Sequence, residues 1–135
     1  MAILIDSDVI IRAERGLFDL EAWIASQPSE EFKFAAITIA ELWHGVERAT
    51  GAHRLKRRLF LERLFALFEV EPYVEKTAFE HARIWAELES SGQMIGAHDL
   101  ILAATAIQAG NAVATFNTRH FSAISGLQVI TPTRP

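Results

Sequence analysis

Apolar runs and helical stripes alternate along the chain from its first residues. Ala2-Ile3-Leu4-Ile5 is a short, wholly apolar run ended by Asp6, the pattern of a strand buried on both faces. Asp6-Ser7-Asp8 supplies oxygen groups able to cap a helix beginning near Val9. Leu17 to Ser26 reads as a second helical piece, and Gln27-Pro28-Ser29-Glu30-Glu31 as a loop. Phe32 to Ile37 reads as a strand. Thr38-Ile39-Ala40-Glu41 then has the spacing of a capping box and opens a helix through Arg48. Gly51 interrupts the chain before a helix from about His53 to Phe68. Its Leu55, Leu59, Leu64 and Phe68 recur at helical spacing, with basic residues between them.

Val70 and Glu71 suit a short strand stopped by Pro72, and Val74 to Ser90 a helix with Phe79, Ala82, Trp85 and Ala86 on or near one face. Ser91-Gly92 ends it. Gly96 precedes a helix from about Ala97 to Ala109, which Gly110-Asn111 terminates by offering a left-handed stop. Ala112 to Phe116 reads as a strand, Asn117 to Phe121 as a loop, and Gln128 to Ile130 as a last strand before a proline-bearing tail. Neither repeats nor linkers interrupt this order. Strands alternating with helices predict an α/β fold: one domain over residues 1–135, with a mostly parallel central sheet sandwiched by helices.

Composition narrows the chemistry. A chain of 135 residues, half of them hydrophobic and 22% charged, is long enough to bury a core of its own. There is no cysteine, which excludes disulfides, thiol catalysis and zinc–thiolate sites. The opening Met-Ala-Ile-Leu-Ile is too short for a signal peptide, and Gln108, Gly110 and Asn111 break the longest apolar stretch, so no membrane span is expected and the cytoplasm is the expected address. Net charge is −4, yet Arg48, Arg54, Lys56, Arg57, Arg58 and Arg63 face only Glu62 between positions 48 and 63. That segment carries +5 and the rest of the chain −9, so a basic stripe able to touch phosphates is present alongside its plainer reading as a solvated helix face.

Three acids stand where strands hand over to helices. Asp6 closes the first strand, Glu41 lies just inside the helix after the second, and Asp99 opens the apolar helix Leu100-Ile101-Leu102-Ala103-Ala104. In a parallel α/β sheet the carboxyl ends of neighbouring strands converge on one crevice, so these acids can meet there. Hard oxygen donors of this kind suit Mg²⁺ or Mn²⁺, and a cation so held suits phosphoryl chemistry. Each acid also has a structural reading. Asp6 is equally suited to be a helix cap, Glu41 to reach back to Thr38 in a capping box, and Asp8 to complement a helix dipole or support the site from behind. Asp99 points furthest towards function, because a carboxylate at the start of so apolar a helix needs a partner. After the late strand come Thr115, Asn117 and His120: Asn117 can serve a water or a phosphate oxygen, and His120 suits a weak ligand, a proton shuttle or a surface residue. HExxH, G-x-S-x-G, the Walker loop and GxGxxG are all absent.

The order of these pieces resembles the PIN-domain ribonucleases, and among them the VapC-type toxins of toxin–antitoxin pairs, closest in flavour to the branch that includes FitB. The likeness runs nearly end to end, through ILIDSDVII, AITIAELWHGVERA, IGAHDLILAATAIQAG, VATFNTRHF and LQVI before a proline. It implies that Asp6, Glu41 and Asp99 match the family's metal-binding acids, with Mg²⁺ or Mn²⁺ as cofactor. It also implies that Asn117 is a catalytic position where many members carry a fourth carboxylate, the position of His120 serving in others. Neither is acidic here, and Asp8 stands where Asn, Ser or Thr is more usual. The resemblance further implies an RNA substrate, tRNA among the candidates, a small antitoxin whose segment enters the active groove, and a homodimer. On that reading Arg54, Lys56, Arg57 and Arg58 are candidates for RNA-backbone contacts. Two alternatives accompany it: a catalytically silent module binding RNA or protein, and a haloacid-dehalogenase-like phosphatase, suggested by Asp6-Ser7-Asp8 but lacking a lysine motif in place.

Overall fold

The computed structural model describes residues 1–134. Five strands, β1 (Ala2–Ile5), β2 (Glu31–Ala35), β3 (Glu69–Glu71), β4 (Ala112–Ala114) and β5 (Val129–Ile130), form one sheet in the order β3-β2-β1-β4-β5. All its pairings are parallel; Ile3 lies beside Phe32 on one side and beside Ala112 on the other. Parallel strands need crossovers, and seven helices supply them: α1 (Ser7–Glu14), α2 (Leu20–Ala25), α3 (Ala36–Arg48), α4 (Gly51–Leu67), α5 (Glu75–Ser91), α6 (Ala97–Ala109) and α7 (Thr118–Phe121).

The period of two along the strands divides the core between the two faces. Ile3, Ile5, Phe32, Phe34, Ala112 and Ala114 pack against α1 to α4, with Phe34 edge-on to Phe65 and Phe68. Leu4, Ala35 and Val113 point the other way, onto α5, α6 and α7. The middle of α6 is buried, at Leu100 and from Leu102 to Ala106, and Gly110 closes the helix at φ 71° as its position in the sequence requires.

Several expected boundaries move. The second strand ends at Ala35 rather than Ile37, and the helix starts at Ala36 with no side-chain cap, so the capping box at Thr38 and Glu41 does not form. Thr38 is instead fully buried inside the first turn, and its hydroxyl has no partner among the described residues. The expected apolar stripe of α4 is also displaced. Leu55 and Leu59 lie more than half exposed, while Leu61 and Leu64 face the core. On α5 the packed positions are Thr77, Ile84 and Leu88, leaving Phe79 and Trp85 on the surface. The segment expected as a loop from Asn117 to Phe121 contains the single turn α7, and α2 is shorter than Leu17 to Ser26.

Candidate active site

The chain runs from β1 outward to β2 and β3, then returns to the other side of β1 as β4. That reversal opens a crevice at the carboxyl ends of β1 and β4. Asp6 follows β1 and is only 4% exposed. Its Oδ1 accepts from the Ser7 amide at 2.8 Å and its Oδ2 from the Thr115 hydroxyl at 2.8 Å. The cap role therefore occupies one oxygen and the other turns towards β4.

Asp8, two residues on in the first turn of α1, reaches across to the same place. Its Oδ2 accepts from the Phe116 amide at 3.0 Å, and its Oδ1 lies 3.3 Å from the Thr115 hydroxyl. Thr115, fully buried, also accepts from the Asn117 amide at 3.0 Å, so one hydroxyl ties the β4 exit to both aspartates. Asn117 itself is exposed and begins α7 without a side-chain cap.

Glu41 and Asp99 complete the acidic wall from α3 and α6. With no capping box to engage it, Glu41 lines one hollow with Ser7 and lies 3.5 Å from His98 Nδ1. Asp99 Oδ2 lies 2.8 Å from His120 Nδ1. His120 is more than half exposed, so its surface placement and its reach into the site are one arrangement. Sequence reasoning alone misses Ser7 and His98. His98 has a local signal, since it adjoins Asp99 at a helix start; Ser7 has only its place between two acids.

Electrostatics join these groups. Burial, with Asp8 adding to it and Asp99 contributing less, pushes the Asp6 carboxyl up to about 7 against hydrogen bonds from Thr115 and Ser7. Burial also raises Asp8, opposed chiefly by the Phe116 amide. Glu41 is raised by burial and by Asp99, with His98 opposing. Among the described residues no lysine or arginine pairs with any of the four acids; their ion-pair partners are His98 and His120. Nor do three ligating side chains close on one point. An oxygen-rich, under-compensated pocket fits a hard divalent cation that keeps part of its own water shell.

The basic stripe contributes less than its sequence suggests. Arg54 pairs with Glu47 at 3.5 Å and Arg58 with Glu62 at 2.8 Å. Arg57 is largely covered, paired with Glu14 at 3.5 Å, and its guanidinium fills the space a Cβ at Gly45 would occupy. It joins α4 to α1 and α3. Lys56 alone of the four has no carboxylate partner among the described residues.

Comparison with known proteins places the chain in a family. A family model described as PIN domain matches residues 3–127. Ribonuclease VapC1 of Rickettsia felis is 34% identical over 132 residues, covering 97% of this chain and 96% of that protein. FitAcB from Neisseria gonorrhoeae superposes with a TM-score of 0.78 at 32% identity, over 96% of this chain and 97% of that one. VapBC-5 from Mycobacterium tuberculosis, a member of the VapBC family of toxin–antitoxin systems, gives a TM-score of 0.66 at 28% identity, over 74% and 81%.

Proposed function

The chain belongs to the PIN-domain family, and from that membership we propose that it is a divalent-metal-dependent endoribonuclease, the toxin of a toxin–antitoxin pair. The observation that carries the reading is the meeting of Asp6, Asp8, Glu41 and Asp99 at the β1–β4 crevice, with no lysine or arginine in a salt bridge to any of them among the described residues. Asp6 and Asp99 would hold Mg²⁺ or Mn²⁺ directly, and Glu41 directly or through water. Asp8 supplies the fourth negative charge that Asn117 does not, delivered from α1 to the β4 exit. A cation held by these acids would supply a nucleophilic water at neutral pH and would offset charge on the phosphate.

The chain's own groups orient that chemistry. Thr115 and the Ser7 amide hold the Asp6 oxygens, and the Phe116 amide fixes Asp8. His98 and His120 position Glu41 and Asp99 from the rim. Thr115 thus supports the site from behind and His120 from the rim, while Asn117 is left at its mouth. Attack by water in line on the phosphodiester breaks the bond to the ribose 3′-oxygen, which leaves as a hydroxyl, and the new oxygen remains on a 5′-phosphate. Lys56 serves the RNA backbone. A small antitoxin in the groove and a cytoplasmic address accompany the proposal, and among the described residues no helix is long and apolar enough to cross a membrane. A homodimer is proposed too, through the face of α5 that leaves Phe79 and Trp85 exposed.

End-labelled tRNA incubated with Mg²⁺, Mn²⁺ or EDTA tests the chemistry. Cutting with either cation, none with EDTA, and products bearing 3′-hydroxyl and 5′-phosphate ends are expected. Cyclic phosphate ends would mean attack by the ribose 2′-hydroxyl and would overturn the mechanism. A phospho-enzyme at Asp6 would return the phosphatase alternative. A folded, antitoxin-free protein that cuts no RNA across a broad panel would favour the silent module.

A further inference from the structure

Continuous with the acidic crevice, a hollow of about 500 Å³ lies between α1, α3 and the start of α6, and the proposed chemistry gives its Ile11, Ile37, Ala40 and His44 no role. Ile37, Ala40, Glu41 and His44 line it from α3 at the i, i+3, i+4, i+7 spacing of one helix face. Ser7 and Ile11 line it from α1, one turn apart, and His98 from α6. Its volume is within the range of small-ligand sites, and its make-up is theirs: an apolar floor with a few polar groups.

Resting on the ribonuclease reading, we propose that this hollow receives an unpaired base of the RNA, next to the phosphodiester to be cut. Two observations select that occupant. Glu41 and Ser7 belong to both the hollow and the acidic site, so whatever fills one is continuous with whatever occupies the other. The walls join aliphatic carbons of Ile11 and Ile37 to the flat rings of His44 and His98, surfaces suited to a planar heterocycle displaced from its stack. His98 is tied to Glu41, whereas His44 is exposed and makes no hydrogen bond or ion pair to the four acids among the described residues, so His44 is the ring free to stack. The substrate is then single-stranded at that position, and a fully paired helix does not fit.

A binding measurement separates this from catalysis. The probe is a short, unstructured, fluorescein-labelled RNA carrying one abasic nucleotide at each position in turn, with Ca²⁺ in place of Mg²⁺, followed by anisotropy. One abasic position should weaken binding by the wild-type protein about tenfold, the size of a single base–ring stack. His44→Ala should bind the intact RNA about tenfold more weakly and become indifferent to that same abasic position. His44→Phe should restore both affinity and sensitivity, which a folding defect would not allow. The proposal is overturned if no single position matters to the wild type, or if His44→Ala weakens intact and abasic RNA alike. The cleavage reading fails separately, by the absence of metal-dependent cutting, and the binding pattern is read either way.

Discussion

Ionising Asp6 in the cation-free protein places a charge in a buried pocket beside Asp8 and Asp99. Its carboxyl titrates at about 7 in the fold against an ordinary 3.8, so the folded state holds the proton longer than the unfolded chain. The stabilisation that follows is fully present below about pH 4 and is lost as pH rises through about 7. Asp8 and Glu41 are shifted in the same direction. In EDTA the melting temperature should therefore fall between about pH 5 and pH 8, by an amount on the order of a few kcal/mol in stability, and Asp6→Asn should flatten the fall. Mg²⁺ should restore the wild-type value at the upper pH, because it binds the deprotonated carboxylate. A melting temperature level across that range would contradict the crowding of charge described here. Asp6 and Asp99 are legible in the sequence because each closes an apolar run or opens one. Ser7 is not, because a partner contributed by another element leaves no local pattern.

At the scale of elements, strands and most helices are legible from apolar runs and glycine stops, whereas starts and faces are less so. Thr38-Ile39-Ala40-Glu41 has the letters of a capping box, yet α3 begins two residues earlier and the threonine faces the core. Burial decides the register, and local hydrogen bonding does not. The consequence is measurable: Thr38→Val should raise stability by about 1 kcal/mol by removing a buried hydroxyl without a partner. Loss of a cap would instead lower it by a similar amount. The basic residues of α4 divide the same way, since charge in a sequence does not say which cations are already engaged. Arg57→Ala should cost stability and leave the salt dependence of RNA binding unchanged. Lys56→Ala should reduce the slope of log affinity against log salt by about one, the share of a single phosphate neutralised.

For the molecule as a whole, the strand order is what brings distant residues together. Asp6 and Thr115 are far apart in the chain and hydrogen-bonded only because β4 returns beside β1. The alternation of strands and helices foretells a parallel sheet, but not which strands are neighbours, and so not that Asp8 meets the β4 exit. The exposed face of α5 reads in the sequence only as an apolar face for a related reason: an apolar stripe looks alike whether it faces its own sheet or another molecule. Sedimentation should show a dimer, and the pair Phe79→Glu and Trp85→Glu should give a folded monomer; a wild-type monomer at high protein concentration would remove the dimer proposal.

The decisive measurement compares wild type and Asp99→Asn on one end-labelled tRNA under single-turnover conditions, each with Mg²⁺ and with EDTA. The wild type should cut only with the metal, and the variant, folded to the same melting temperature, should be more than about a hundredfold slower. Equal rates for the two proteins, or cutting that persists in EDTA, would show that the carboxylates at the β1–β4 crevice are not the site of the reaction.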